Sequence, residues 1–162
     1  MNSCAAPGLL VTALAFGLFS SPTVGSEFYC GQFELIGDEK TVTVIDEAPK
    51  GDSIGDIRTG IMDFIDPRTD EVIKYYFRAQ IFAIGADGVH TFQGDHTWAF
   101  PSGDLLFTRD IYRRTNDTRP RGIGELLALG VLGGTGAFAR VSGTVAGEAG
   151  DTPVWSFDLD CG

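Results

Sequence analysis

Lysine is nearly absent from this 162-residue chain, occurring only at Lys40, Lys50 and Lys74, and the formal net charge is −10. A surface that acidic repels phosphates, which argues against nucleic acid as a partner. The one basic cluster, Arg113, Arg114, Arg119 and Arg121, reads as a solvated loop balancing nearby acids. No Cys-x-x-Cys occurs, and the only histidines, His90 and His96, lie about 20 Å apart along an extended strand, too far to share a metal. No metal and no cofactor is therefore expected. Gly-x-Ser-x-Gly is missing too, so a serine nucleophile has no support. No repeat or low-complexity linker divides the chain, and helical periodicity is almost lacking, which leaves one domain built from strands.

Residues 1–26 contain no Lys, Arg, Asp or Glu, and Leu9 to Phe19 form an apolar run. That run is too short for a bilayer span, which needs about 20 residues. With small residues at Val24, Gly25 and Ser26 it reads as a secretory signal peptide cleaved near Ser26, although Met1 to Pro7 offers no basic side chain. The alternative is a buried N-terminal helix. The first reading makes 27–162 the mature domain, secreted or periplasmic, with no membrane contact after cleavage. Cys4 leaves with the leader. Cys30 and Cys161 remain, and in an oxidising compartment two cysteines most simply pair, the alternative being two free thiols.

From residue 41 onward the chain alternates short apolar-patterned stretches with turns. Thr41 to Ile45 is a β-branched run. In Glu71 to Gly85, Ile73, Tyr75, Phe77, Ala79, Ile81 and Ala83 share one face. Gly85 to Gly88 turns the chain into Val89–Phe100, and Pro101 to Asp104 turns it into Leu105–Arg114. Further strands are expected at Ile123–Leu132, Ala137–Ala146 and Val154–Leu159. Many strands and few helices in under about 140 residues favour a closed antiparallel eight-stranded barrel, because closure removes exposed edges. Such a barrel has room for packed side chains or one small ligand.

The run Gly133-Gly134-Thr135-Gly136 looks like a nucleotide-binding fingerprint. That fold needs a helix and a second strand after the glycines, and Gly143, Gly147, Gly150 and Pro153 break any helix there. A tight turn with positive φ explains the glycines better, with Phe138 beginning the return strand.

Gly133, Gly134, Thr135, Gly136, Phe138 and Gly143 together resemble a late hairpin of the allene oxide cyclase and dirigent barrel families. Phe92-Gln93-Gly94 is similar to the strand upstream of it, and Ser53-Ile54-Gly55-Asp56 to an early glycine-aspartate step. The resemblance spans roughly residues 41 to 160. It implies an eight-stranded barrel with an apolar cavity, often in trimers. Plant cyclases carry Glu-Ile-Asn-Glu in the first strand; here the stretch is Val44-Ile45-Asp46-Glu47, and Glu47 alone keeps an acidic match. Where dirigent proteins end the motif with Ala-Arg-Gly-Tyr, this chain has Val141-Ser142-Gly143-Thr144.

His90, Phe92, His96, Trp98 and Phe100 fall on one face of one strand unless a bulge at Gly94 shifts the register. Pointing inward, that face is an aromatic wall with a titratable imidazole; pointing outward, it is a subunit contact. Glu47 and His96 are the catalytic candidates, with Asp95 and Tyr112 as further polar groups for a cavity. Tyr75, Phe77, Phe92, Trp98 and Tyr112 are the expected lining. Most other aspartates, among them Asp38, Asp66 and Asp104, should be turn residues. Asn116-Asp117-Thr118 fits a glycosylation acceptor. The expected function is a secreted barrel that binds an apolar small molecule and directs a cyclisation or stereoselective coupling. If it is an enzyme, it is a cofactor-free cyclase or isomerase. A non-catalytic structural or partner-binding barrel is the alternative, and a homo-oligomer, trimer or dimer, suits either.

Overall fold

The structure, a computed structural model, describes residues 25–46, 50–115, 126–148 and 152–162. Most of the expected leader, Glu47 and the Asn116 acceptor lie outside the described residues. Eight strands run in chain order around a closed antiparallel barrel: β1 (Gly31–Ile45), β2 (Ile57–Ile65), β3 (Val72–Ile84), β4 (Val89–Ala99), β5 (Leu105–Thr115), β6 (Leu126–Gly134), β7 (Ser142–Glu148) and β8 (Val154–Asp160). β1 pairs with β8 from Gly31↔Leu159 to Ile36↔Val154, which closes the sheet.

Strand alternation sorts the side chains as expected for a half-buried sheet. β4 alternates without a break, burying His90, Phe92, Gly94, His96 and Trp98. No bulge occurs at Gly94; the irregularity lies on the partner strand between Ile81 and Ala83. The His90–Phe100 face therefore points into the barrel, and the subunit-contact alternative for it falls away.

The strands differ from expectation at three places. β1 starts at Gly31, well before the β-branched run, because Phe33 and Leu35 already alternate inward against β8. β2, which earned no separate strand expectation, pairs along its length with β3. After the glycine run, Phe138 does not open a strand. It sits in a single 3-10 turn (Gly136–Phe138), fully buried, and β7 begins only at Ser142. Gly133 and Gly136 have positive φ. Gly134 does not, but a Cβ there would fall 2.1 Å from the Leu105 carbonyl oxygen. Close approach, not handedness, demands glycine at that position.

One end of the barrel, called lower here, is corked. Tyr29, from the 3-10 turn Ser26–Tyr29, packs on Phe100 (4.6 Å between centroids), and Phe100 on Phe138 (4.8 Å). Above them Trp98 is ringed by Tyr75 (4.3 Å), Phe157 (4.9 Å), Phe64 (5.3 Å) and Trp155 (5.6 Å). Beneath, Asp66 is fully buried and accepts hydrogen bonds from the Arg68 backbone N–H (2.8 Å), Nε (2.9 Å) and Nη2 (2.7 Å). The Arg68 guanidinium in turn covers the Phe28 ring at 4.2 Å and Phe33 at 5.0 Å. Tyr29 Oη donates to Glu71 at 2.9 Å, and burial followed by that bond holds its hydroxyl well above the ordinary phenol value.

Cys30 and Cys161 form a disulfide with Cα atoms 5.9 Å apart, across the β1–β8 seam. It closes a sequence separation of 131 residues, which in the chain-entropy model is worth about 5 kcal/mol. The Cys30→Ser, Cys161→Ser protein should unfold in urea with a stability lower by about 2–5 kcal/mol; an unchanged midpoint would show that strand pairing alone holds the seam. Asp66 yields a pH prediction. Burial pushes its carboxyl up, but the Arg68 bonds outweigh that and leave it below the ordinary value of 3.8. A lowered folded value means stability that is full above the ordinary value and lost as pH falls through the folded one. Asp66→Asn should therefore be less stable than wild type at neutral pH, and the two acid-unfolding curves should converge once pH falls through the lowered folded value.

Candidate functional site

Between the aromatic lower half and the upper end lies a polar layer. Tyr75 Oη is 2.6 Å from His96 Nδ1, and His96 Nε2 is 3.2 Å from Asp110 Oδ1. All three are buried. An ionised carboxylate only accepts, so His96 Nε2 carries the hydrogen; in neutral imidazole Nδ1 then accepts from the Tyr75 hydroxyl. The result is a directed chain, Tyr75 O–H to His96 to Asp110. Below it, Trp98 Nε1 donates to Thr108 at 3.1 Å, so the indole is satisfied without drawing on the chain.

Strand register builds this layer. Phe77, His96 and Thr108 are successive cross-strand partners, and Ala79, Gly94 and Asp110 are the next set above. Gly94 faces inward between His96 and Asp110. A Cβ on it would fall 2.2 Å from Asp110 Oδ1 and 2.8 Å from His96 Nε2. The hydrogen bond passes through space that only a glycine leaves open.

Above the layer the interior is apolar, then charged. Phe92 and Tyr112 stack at 4.9 Å with planes 6° apart, packed with Ala79 and Ile81. Phe77 and Tyr112 point inward yet keep some solvent exposure. Trp98, Phe64 and Phe138 in the lower half, by contrast, are fully buried. At the mouth Arg58 lies over Phe92, its Cζ 5.2 Å from the ring centre. Asp52 reaches both Arg58 Nη2 (3.7 Å) and His90 Nδ1 (3.4 Å).

Of the sequence candidates, Tyr75, Phe77, Phe92, His96, Trp98 and Tyr112 all face inward. The structure joins Tyr75 to His96, and Phe92 to Tyr112. Trp98 belongs to the packed lower half. Asp95 is a correction: its parity places it outside, where it accepts from Arg109 Nε at 2.6 Å. Asp110, Arg58 and Asp52 were missed. Asp110 has the parity of Leu106 and Tyr112, which is the signal that could have found it. Among the described residues no group of His, Cys, Asp and Glu could hold a metal. A surface depression of about 370 Å³ lies on the outer face of β1, β7 and β8. It is lined by Gln32, Glu34, Ser156 and Asp158, which bond one another, and it is remote from this chemistry.

No protein-family model matches the chain, and no curated protein does. Among solved structures it is similar to pyocyanin demethylase, at 16% identity and a TM-score of 0.60, covering 80% of this chain and 99% of that one. At that identity the likeness concerns the fold.

Gly94→Ala should destabilise the barrel by about 1–3 kcal/mol through forced separation of His96 and Asp110. Combining it with Asp110→Ala should recover part of that loss, a coupling a double-mutant cycle reads directly. Strict additivity would show that the glycine does not serve the pair.

Proposed function

We propose that the upper interior binds an apolar small molecule and that the Tyr75–His96–Asp110 chain moves a proton on it, promoting an isomerisation or ring closure without a cofactor. The observation that carries this reading is the chain itself, three buried side chains linked in the order acid, imidazole, carboxylate beneath the stacked rings of Phe92 and Tyr112, of which Tyr112 keeps some solvent exposure. When Tyr75 Oη takes a proton from a bound carbon acid, its own proton passes to His96 Nδ1. The imidazolium is stabilised by Asp110, the logic by which a carboxylate supports histidine in other relays. Phe92, Tyr112 and Phe77 supply shape and exclude water, which strengthens each charge interaction inside.

The resemblance to allene oxide cyclase and dirigent barrels supports the same reading, and so does a fold shared with a protein named for demethylating pyocyanin. Glu47 remains a second acidic candidate within this proposal. Export through a leader over 1–26 is supported by the disulfide, and no helix among the described residues is long and apolar enough to cross a membrane. Association of the 27–162 domain into a trimer or dimer is supported by Ile61, Tyr76, Ile111 and Leu132, exposed on the outer wall.

The test uses N-phenylnaphthylamine for binding and nitrobenzisoxazole for chemistry. Removal of the carbon-bound proton from the latter breaks its N–O bond and releases a coloured phenolate. The dye should bind with about micromolar affinity, and Ala79→Phe, which fills the interior, should weaken it about tenfold or more. Tyr75→Phe and His96→Gln should each slow nitrobenzisoxazole opening by about 10²-fold or more. Dye binding with no rate above that of free imidazole would leave a binding barrel without proton chemistry; no binding at all would remove the reading.

A further inference from the structure

We infer that the ligand of the upper interior carries an acidic group, and that Arg58 and His90 receive it at the mouth in the place now taken by Asp52. The inference rests on the interior-binding reading and adds the substrate class. Three observations support it. Arg58 comes from an inward position on β2, in register with Ala79, and lies over the Phe92 ring, so its charge belongs to the apolar space and not to the outer wall. His90 is almost fully buried at the same end, with Nδ1 turned toward Asp52. Asp52 is the group that answers both, and it does so loosely. Its Oδ1 stops 3.7 Å from Arg58 Nη2, beyond hydrogen-bond distance, and its side chain keeps 30% of its surface in solvent.

A guanidinium placed against an aromatic wall costs desolvation unless an anion completes it. A planar guanidinium suits a bidentate carboxylate or sulfonate, which Asp52 at this distance does not provide. Asp52 stands ahead of β2, in the stretch whose Gly55 N–H bonds the Ile81 carbonyl and whose Asp56 carbonyl takes the Ile81 N–H. The backbone is held at 55–56 and, through the Ser53 N–H and Oγ bonds to the Asp56 carboxylate, right beside Asp52; with its contacts to Arg58 and His90 long, the Asp52 carboxylate yields to an arriving ligand group by side-chain rotation alone. The acidic outer surface does not forbid this, since charges beyond about 8 Å are largely screened at physiological salt while Arg58 acts in contact. With the acid held at the mouth, the apolar body of the ligand lies along Phe92 and Tyr112 and its far end comes down toward Tyr75.

The experiment compares two dyes that share one aromatic skeleton, anilinonaphthalene sulfonate and neutral N-phenylnaphthylamine, titrated into wild type, Arg58→Gln and Asp52→Asn. The quantity read is the ratio of the two affinities. Wild type should favour the sulfonate by about tenfold. Asp52→Asn, on an exposed stretch where folding is not at stake, should raise the ratio by about threefold or more, because the competing carboxylate is gone. Arg58→Gln should abolish most of the preference. Ratios near one in wild type and unmoved by either substitution would overturn the inference while leaving the binding reading in place. Failure of both dyes to bind wild type would overturn the binding reading and this inference with it.

Discussion

Everything inside this protein depends on the pairing of its first strand with its last. Six residues of β1, Gly31 to Ile36, meet Val154 to Leu159 of β8. Without that ladder the sheet has two open edges and no interior. With it, each strand acquires an inside and an outside, and the period of two decides which side chains meet. The disulfide lies at the end of the same seam and limits how far an unfolded chain can separate the two strands. The 3-10 turn that carries Tyr29 follows from closure as well, since it corks the end of a cylinder that exists only once β1 and β8 are joined.

The interior is divided by chemistry. In the lower half, aromatic rings from five strands interlock around Trp98, and the buried carboxylate of Asp66 is paired with Arg68. Burial there is large and sequence order matters less than volume. The middle layer is different. Tyr75, His96 and Asp110 are polar groups removed from water, and such groups are costly unless each is satisfied. They are hydrogen-bonded in sequence to one another, and Gly94 keeps the gap between His96 and Asp110 open. A core built for stability alone would have filled that layer with Leu or Val. The chain of hydrogen bonds, set just below the Phe92–Tyr112 stack, is polar where packing alone would favour apolar side chains.

Much of the architecture was legible in the residues. The alternation of Ile73 to Ala83 and of His90 to Phe100 gave both strands, the residues that share a face and, with the glycine turns, the barrel, while the inward direction of the His90 face came only from closure of the sheet. The cysteine pair was legible from count and compartment. Less legible was anything that depends on which strands become neighbours. Asp110 could be assigned a face but not a partner, because only the register of β4 against β5 brings it to His96. Asp95 was named as a polar cavity group, but its parity is opposite to that of His96 and sends it outside to Arg109. Arg58 carried no pattern of its own, since a single inward arginine in a strand is visible only when the wall it faces is known. The first half of β1 was hidden for another reason: Glu34, Gly37 and Asp38 interrupt its apolar character, and its pairing with β8 spans the whole domain.

The central claim is that His96 is wired between Tyr75 and Asp110 at the floor of a space a ligand can enter. Long-range proton–nitrogen spectra of the imidazole rings test it most directly, with His90 and His96 assigned by substitution. The account predicts that neutral His96 is the Nε2–H tautomer, with Nδ1 showing the shift of a hydrogen-bond acceptor, and that both nitrogens move when an apolar ligand is added. A His96 ring in the Nδ1–H tautomer, or one whose nitrogens ignore a ligand that demonstrably binds, would contradict it.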